Sequence, residues 1–154
     1  MKEKTCCFTG HRDIQPQELE TIKQNIEKEV IALIKNGVTF FLAGGAIGFD
    51  TLAAKTVLSL KETYPHIQLH LVLPCAYQAK SWSEQEKIEY ENIKAAADSV
   101  KILSETYYRG CMQTRNRVMV DNSCFCICFC RKDSGGTAYT VSYAVKKGVS
   151  VIHI

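Results

Sequence analysis

Four short segments carry the residues with which this chain could do chemistry. Thr9-Gly10-His11-Arg12 sets a glycine, which lets backbone approach a ligand, beside a guanidinium whose fork of donors suits phosphate; a plain turn with solvated charges fits the same residues. Ala43-Gly44-Gly45-Ala46-Ile47-Gly48-Phe49-Asp50 is a glycine-rich stretch opening a helix, where free N–H groups and the positive end of the helix dipole favour an anion. It matches neither the G-x-G-x-x-G dinucleotide fingerprint nor the G-x-x-x-x-G-K-[ST] nucleotide loop. Asp50 there serves either as a helix cap or as acceptor for a ribose hydroxyl. Arg115-Asn116-Arg117 holds two guanidinium groups around an amide. Helical positions two apart diverge, so one arginine meets a ligand and the other supports it, unless the whole face is merely solvated. Ser134-Gly135-Gly136-Thr137 is the strongest of the four, with two glycines and two hydroxyls where a phosphate can be held, although Ser or Thr there also caps a helix.

The other reactive residue types point away from chemistry. Cys124, Cys126, Cys128 and Cys130 alternate with Phe125, Ile127 and Phe129, so on a strand their thiols stand in a row. Same-face neighbours on a strand lie about 6 to 7 Å apart and point in parallel, whereas a tetrahedral metal site needs convergence. They read as small apolar core residues. Cys6, Cys7, Cys75 and Cys111 show no C-x-x-C spacing, and no metal site or cofactor is expected. Of the histidines only His11 lies in a candidate segment; His70 falls mid-strand. Tyr77 and Trp82, after Pro74, offer rings that could stack on a base, and Gln78 could hydrogen-bond one; packing against the sheet edge is the alternative.

Positioning these segments requires alternating strands and helices. At 154 residues the chain is the size of one domain, and nineteen basic against sixteen acidic residues give +3, far from the loading of a nucleic-acid coat protein. Neither a signal-peptide core nor a membrane-length apolar run is present, so a cytoplasmic location with reduced thiols and no membrane contact is expected. Apolar runs at 5–9, 39–43, 68–73, 100–103, 124–130 and 149–152 read as strands, mostly buried on both faces. Leu19, Ile22, Ile26, Val30 and Leu33 recur at helical spacing between Pro16 and Gly37. A second helix opens near Gly48 and carries Ala53, Val57 and Leu60 inward before Pro65; a third starts at the Ser83 to Glu86 capping box and carries Ile88, Ile93 and Ala97. Further helices are expected over 112–120 and 137–147, the last ending at Gly148. The fold class is α/β: a three-layer, Rossmann-like single domain over 1–154, with a mainly parallel sheet of about six strands and helices on both faces. Ligands of such sheets bind at the carboxyl ends of the strands.

In this order, Phe8-Thr9-Gly10-His11-Arg12, Gly44-Gly45-Ala46-Ile47-Gly48-Phe49-Asp50, Arg115-Asn116-Arg117 and Ser134-Gly135-Gly136-Thr137 resemble the SLOG superfamily, specifically its YpsA-like group. They are also similar to the core of the DNA-processing protein A family, with its G-G-x-x-G-[IF]-D loop, R-N-R element and S-G-x-x-x-T turn. Here the final threonine of that turn, Thr140, stands one position late. The resemblance implies a modified Rossmann fold that senses or processes nucleotide-derived ligands. A more distant similarity is to the cytokinin-activating phosphoribohydrolases, whose P-G-G-x-G-T-x-x-E pattern supplies a glutamate at the sugar; Thr140 occupies that place here. The expected function is therefore binding of a nucleotide-like small molecule for sensing or regulation. A nucleoside-monophosphate phosphoribohydrolase and a single-stranded nucleic-acid-binding module are the alternatives, and a homodimer is in keeping with related folds.

Overall fold

The computed structural model describes residues 1–154 as one six-stranded sheet, every strand pair parallel. The strands are β1 Thr5–Gly10, β2 Phe40–Ala43, β3 Gln68–Leu73, β4 Ser99–Ile102, β5 Phe125–Phe129 and β6 Ser150–His153. The helices are α1 Leu19–Lys35, α2 Phe49–Leu60, α3 Glu84–Ala96, α4 Cys111–Asp121 and α5 Gly136–Lys146. Spatial order is β4-β3-β2-β1-β5-β6, so the chain winds outward from β1 in one direction, returns across the sheet through α4, and continues on the other side. The fold is the three-layer Rossmann-like α/β architecture read from the sequence. No helix is long and apolar enough to cross a membrane.

Two apolar clusters hold the layers together. On one face Ile22, Ile26, Val30 and Leu33 of α1, Phe49, Ala53 and Val57 of α2, and Tyr90 and Ile93 of α3 pack on Phe8, Phe41, Leu69, Leu71 and Ile127. On the other, Met119 and Val120 of α4 and Ala144 of α5 cover Cys7, Cys126 and Cys128. The alternating cysteines thus split with the pleat from Ile127 and Phe129, as side chains along a strand must. All eight cysteines are free, and burial pushes the Cys128 thiol up to about 12, leaving it protonated and inert as a nucleophile.

Local signals act where chemistry requires them. Gly37 ends α1 with φ +97°, and the Ser83 hydroxyl accepts the Glu86 N–H (3.2 Å) while the Glu86 carboxylate accepts the Ser83 N–H (2.9 Å). Two expectations change. Leu19 and Ile88 face solvent, the inward positions of α3 being Tyr90 and Ile93. β4, read as a buried run, is exposed along its whole length, because it closes the sheet as an edge. His70, mid-strand in β3, stays half-buried and is tied by its ring nitrogens to Ser99 and Gln68.

Candidate functional site

The sheet's winding reverses between β1 and β5, and there the loops leaving the two strands diverge and open a crevice. A cavity of about 260 Å³ fills it, lined by Thr9 to Arg12 after β1, Ala46 and Asp50 at the start of α2, Met112, Arg115 and Asn116 of α4, and Lys132 with Ser134 to Thr137 after β5. All four segments singled out in the sequence contribute to this wall. A concavity of similar size, about 290 Å³, is lined by Phe40, Leu42, Leu71, Val72 and Val118 with Lys2 and Lys101; none of the four segments reaches it.

Three cations face the switch-point cavity, and none has a carboxylate partner. Arg12, Arg115 and Lys132 take part in no ion pair; what sets them apart from the other unpaired cations of the chain is that all three line one cavity. Arg12 and Lys132 are exposed; Arg115 is 4 % exposed. A buried guanidinium survives only if its donors are used. Arg115 gives Nη1 to the carbonyl of Gly44 and Nε to Asn116 Oδ1 (2.7 Å). Asn116 Nδ2 in turn donates to Thr140 Oγ1 (2.9 Å), and Thr140 donates to the carbonyl of Gly136 (2.8 Å). This relay ties the loop after β2, the middle of α4 and the first turn of α5 into one rim. Met112 Sδ, 3.9 Å from both Arg12 Nη2 and Arg115 Nη2, brings the two guanidinium groups to one point.

Asp50 is the one carboxylate on the wall. Sitting in the first turn of α2, it accepts the Ala46 N–H (3.3 Å) and is not the helix cap, a position that belongs to Gly48. Burial raises its pKa, with Arg115, the Ala46 N–H and Arg12 pulling the other way. The same burial lowers the pKa of Arg115, and Asp50 opposes it.

The glycines divide into two groups. Gly44, Gly45 and Gly48 do not line the cavity. A Cβ on Gly44 would enter the Arg115 guanidinium, one on Gly45 would come within 2.6 Å of Leu73 Cδ2, and one on Gly48 would overlap the Arg12 carbonyl. Gly10 lines the cavity, yet its missing Cβ makes room for the Phe49 ring. All four are glycine where protein meets protein; for Gly44, Gly45 and Gly48, which lie off the cavity, this corrects the expectation that they admit a ligand. Gly135 and Gly136 differ: a Cβ on either meets nothing within 4 Å. Their bare backbone at the start of α5 is open to the cavity.

The model of the YspA SLOG family matches residues 6–150. The chain belongs to this family. Among curated relatives, a UPF0398 protein of Halalkalibacterium halodurans is 35 % identical over 129 residues, covering 82 % of this chain and 68 % of the relative. The UPF0398 protein YpsA of Bacillus subtilis is 28 % identical over 129 residues, covering 78 % and 72 %. In fold, the chain is similar to DNA processing protein A from Helicobacter pylori, whose structure concerns its single-stranded DNA binding mode (TM-score 0.68, 19 % identity, 99 % of this chain, 65 % of that one). It is likewise similar to DNA processing protein A from Streptococcus pneumoniae (TM-score 0.72, 18 % identity, 99 % and 50 %). The chain thus spans between half and about seven tenths of these proteins.

Within this SLOG chain several residues read as site candidates lie elsewhere. Arg117 points away from Arg115: it donates to Tyr139 Oη (3.0 Å) and Thr114 Oγ1 (3.2 Å), outside the switch-point cavity. Tyr77, Gln78 and Trp82 do not reach the cavity either. Tyr77 is 75 % exposed, Trp82 packs edge-on against Tyr90 at 5.1 Å, and Gln78 is buried behind the loop, donating to the Gly44 carbonyl (3.2 Å). Sequence reasoning passed over Lys132 and Met112; a lysine two residues ahead of Ser134-Gly135-Gly136 was the available sign for the first. No group of three or more His, Cys, Asp or Glu side chains is placed to hold a metal ion.

His11 lines the cavity as a neutral imidazole. Its Nε2 accepts the Arg131 N–H (2.8 Å) and its ring stands edge-on to Phe129 at 5.5 Å. Desolvation lowers its pKa, aided by Lys132 and Arg131 and opposed by Asp13. The unfolded chain then binds a proton at His11 more readily than the folded one, so stability present above the unfolded value of about 6.5 is lost as pH falls towards the folded value. We expect the unfolding midpoint to drop between neutral and mildly acid pH and His11→Gln to flatten part of that slope. His70, also lowered by desolvation, supplies another part, and an unchanged slope in the variant would contradict the assignment.

Proposed function

We propose that the switch-point cavity binds the phosphate group of a nucleotide-derived ligand, and that the protein uses this binding for sensing or regulation rather than for turnover. The observation that carries the reading is the convergence of three unpaired cations, Arg12, Arg115 and Lys132, with the uncovered Gly135-Gly136 backbone at the amino end of α5, on one cavity. Open N–H groups, the helix dipole and guanidinium forks are the donors a phosphate takes. Thr140 supports the choice of binding over hydrolysis: where a related enzyme pattern carries a glutamate, this residue is 1 % exposed and its hydroxyl is spent within the relay.

Arg12 offers the cleanest test, since it is exposed and anchors nothing in the fold beyond its contact with Met112. Arg12→Ala is expected to weaken 5′-AMP binding by about 10- to 100-fold, the worth of a hydrogen bond between charged groups, while the unfolding midpoint stays put. Adenosine, lacking the phosphate, should bind no better to wild type than to the variant. Calorimetric titration followed by chromatography of the recovered ligand reads both points. Intact 5′-AMP supports a binding protein; free adenine would favour a phosphoribohydrolase and turn attention to Asp50, the carboxylate on the wall. Single-stranded DNA is the second ligand class to test, because the DNA processing protein A from Helicobacter pylori shares the fold.

A further inference from the structure

The Gly135-Gly136 turn is a partition. On its far side lies a second, more open cavity of about 550 Å³, and both glycines line both spaces. The second cavity is bounded by Tyr108, Arg109, Arg117 and Tyr139. Tyr108 and Tyr139 are 44 % and 41 % exposed, so two aromatic surfaces stand in water beside a cavity that also carries two guanidinium groups. Tyr139 is held in place: its ring stacks on Tyr143 at 6.4 Å and 21°, and its hydroxyl oxygen accepts from Arg117. A fixed ring loses little freedom when a base settles on it. Arg109 and Arg117, like the three cations of the first cavity, are in no ion pair.

Five unpaired cations along two cavities that share a bare backbone wall exceed what one phosphate neutralises. Positive charge tracking a groove, interleaved with exposed aromatic rings, is the arrangement that takes successive nucleotides. Resting on the phosphate reading above, we propose that the second cavity is a stacking subsite for the neighbouring nucleoside, so that the ligand has two consecutive nucleotide units, as a dinucleotide or as a segment of single strand. The first unit's phosphate sits against Arg12, Arg115 and Lys132; the next unit passes Gly135-Gly136 and stacks against Tyr139 or Tyr108 with its phosphate near Arg117.

Titration of the whole chain with 5′-AMP, the 5′-phosphorylated dinucleotide pApA, pApA with an abasic second unit, and a single-stranded oligo-dA tests this. In wild type pApA should bind at least about 10-fold tighter than 5′-AMP, and the abasic compound should lose most of that gain. Tyr139→Ala should weaken pApA by about 5- to 100-fold and leave 5′-AMP unchanged, Tyr139→Phe should keep stacking, and thermal unfolding verifies that both variants fold. If pApA binds no tighter than 5′-AMP, the subsite is absent although the phosphate site stands. Equal weakening of 5′-AMP and pApA by Tyr139→Ala would also overturn it, since the ring would then serve the first nucleotide's own base. If 5′-AMP and pApA both fail to bind, the phosphate reading and this inference fall together. Oligo-dA tighter than pApA with a steep salt dependence identifies a strand as the source of the two units, and equal affinity identifies a free dinucleotide; either supports the subsite when the Tyr139 dependence is retained.

Discussion

Arg115→Ala is expected to abolish measurable 5′-AMP binding and to lower the unfolding midpoint by about 6 to 12 °C. The stability loss has a local cause. Without the guanidinium, the Asn116 Oδ1 atom loses its donor, the Gly44 carbonyl keeps only Gln78, and the buried Asp50 carboxylate loses the largest charge that favours its ionised form. An abandoned buried acceptor costs about 1 to 3 kcal/mol; one such loss, a second acceptor left with a single donor and the buried Asp50 charge left uncompensated reach about 3 kcal/mol together, which for a domain of this size is a shift of about 2 to 4 °C per kcal/mol. Arg115→Lys should recover little, because an ammonium cannot reproduce a planar fork that reaches the Gly44 carbonyl and Asn116 together. Differential scanning calorimetry beside the binding titration separates the two losses. A midpoint within a degree or two of wild type would show that the relay does not hold the rim.

Gly48→Ala should be as damaging, although it adds a single methyl group. Gly48 adopts φ +77° and ψ −122°, a combination that side-chain-bearing residues rarely take, and its Cβ would overlap the carbonyl of Arg12. The obstacle is backbone, so no rotamer change relieves it. We expect a loss of about 3 kcal/mol or more, or else displacement of the Arg12 turn with a matching loss of phosphate affinity. Gly37→Ala is the reference: φ is +97° there too, but nothing lies within 4 Å, so it reports the dihedral penalty alone, about 1 kcal/mol. Equal midpoints for the two variants would mean that the contact between the loop after β2 and the turn after β1 yields freely.

The layout of the fold was legible because strands buried on both faces read as apolar runs and α1 as a helical stripe. The grouping of the four segments was legible too, since a doubly wound sheet has one place where loops from β1 and β5 part. The work of individual residues was not. Gly44 makes room for a guanidinium 71 positions away, and no local pattern announces such a pairing. From sequence Thr140 is a glutamate missing from an enzyme-like motif; in the fold it stands one helical turn after Gly136, which lets its hydroxyl reach back to that carbonyl while receiving Asn116. Lys132 belongs to no motif at all. Leu19 and Ile88 were misplaced because apolar residues that continue a helical stripe need not find a neighbour once the sheet ends.

The two apolar clusters described above are unequal, with 23 buried residues under α1, α2 and α3 and eight on the side of α4 and α5. The crevice therefore has a firm wall and a soft one. Arg115, Asn116 and the Gly135-Gly136 turn all belong to the soft wall, whose helices give Met119, Val120 and Ala144 to the smaller cluster. Segments with few buried apolar contacts open at lower free energy than the rest of a fold. An anion bridging Arg12 on one side and Arg115 on the other would close that opening, so occupancy would be felt as slowed amide hydrogen exchange along α4 and α5, in a protein whose α1 and α2 scarcely notice.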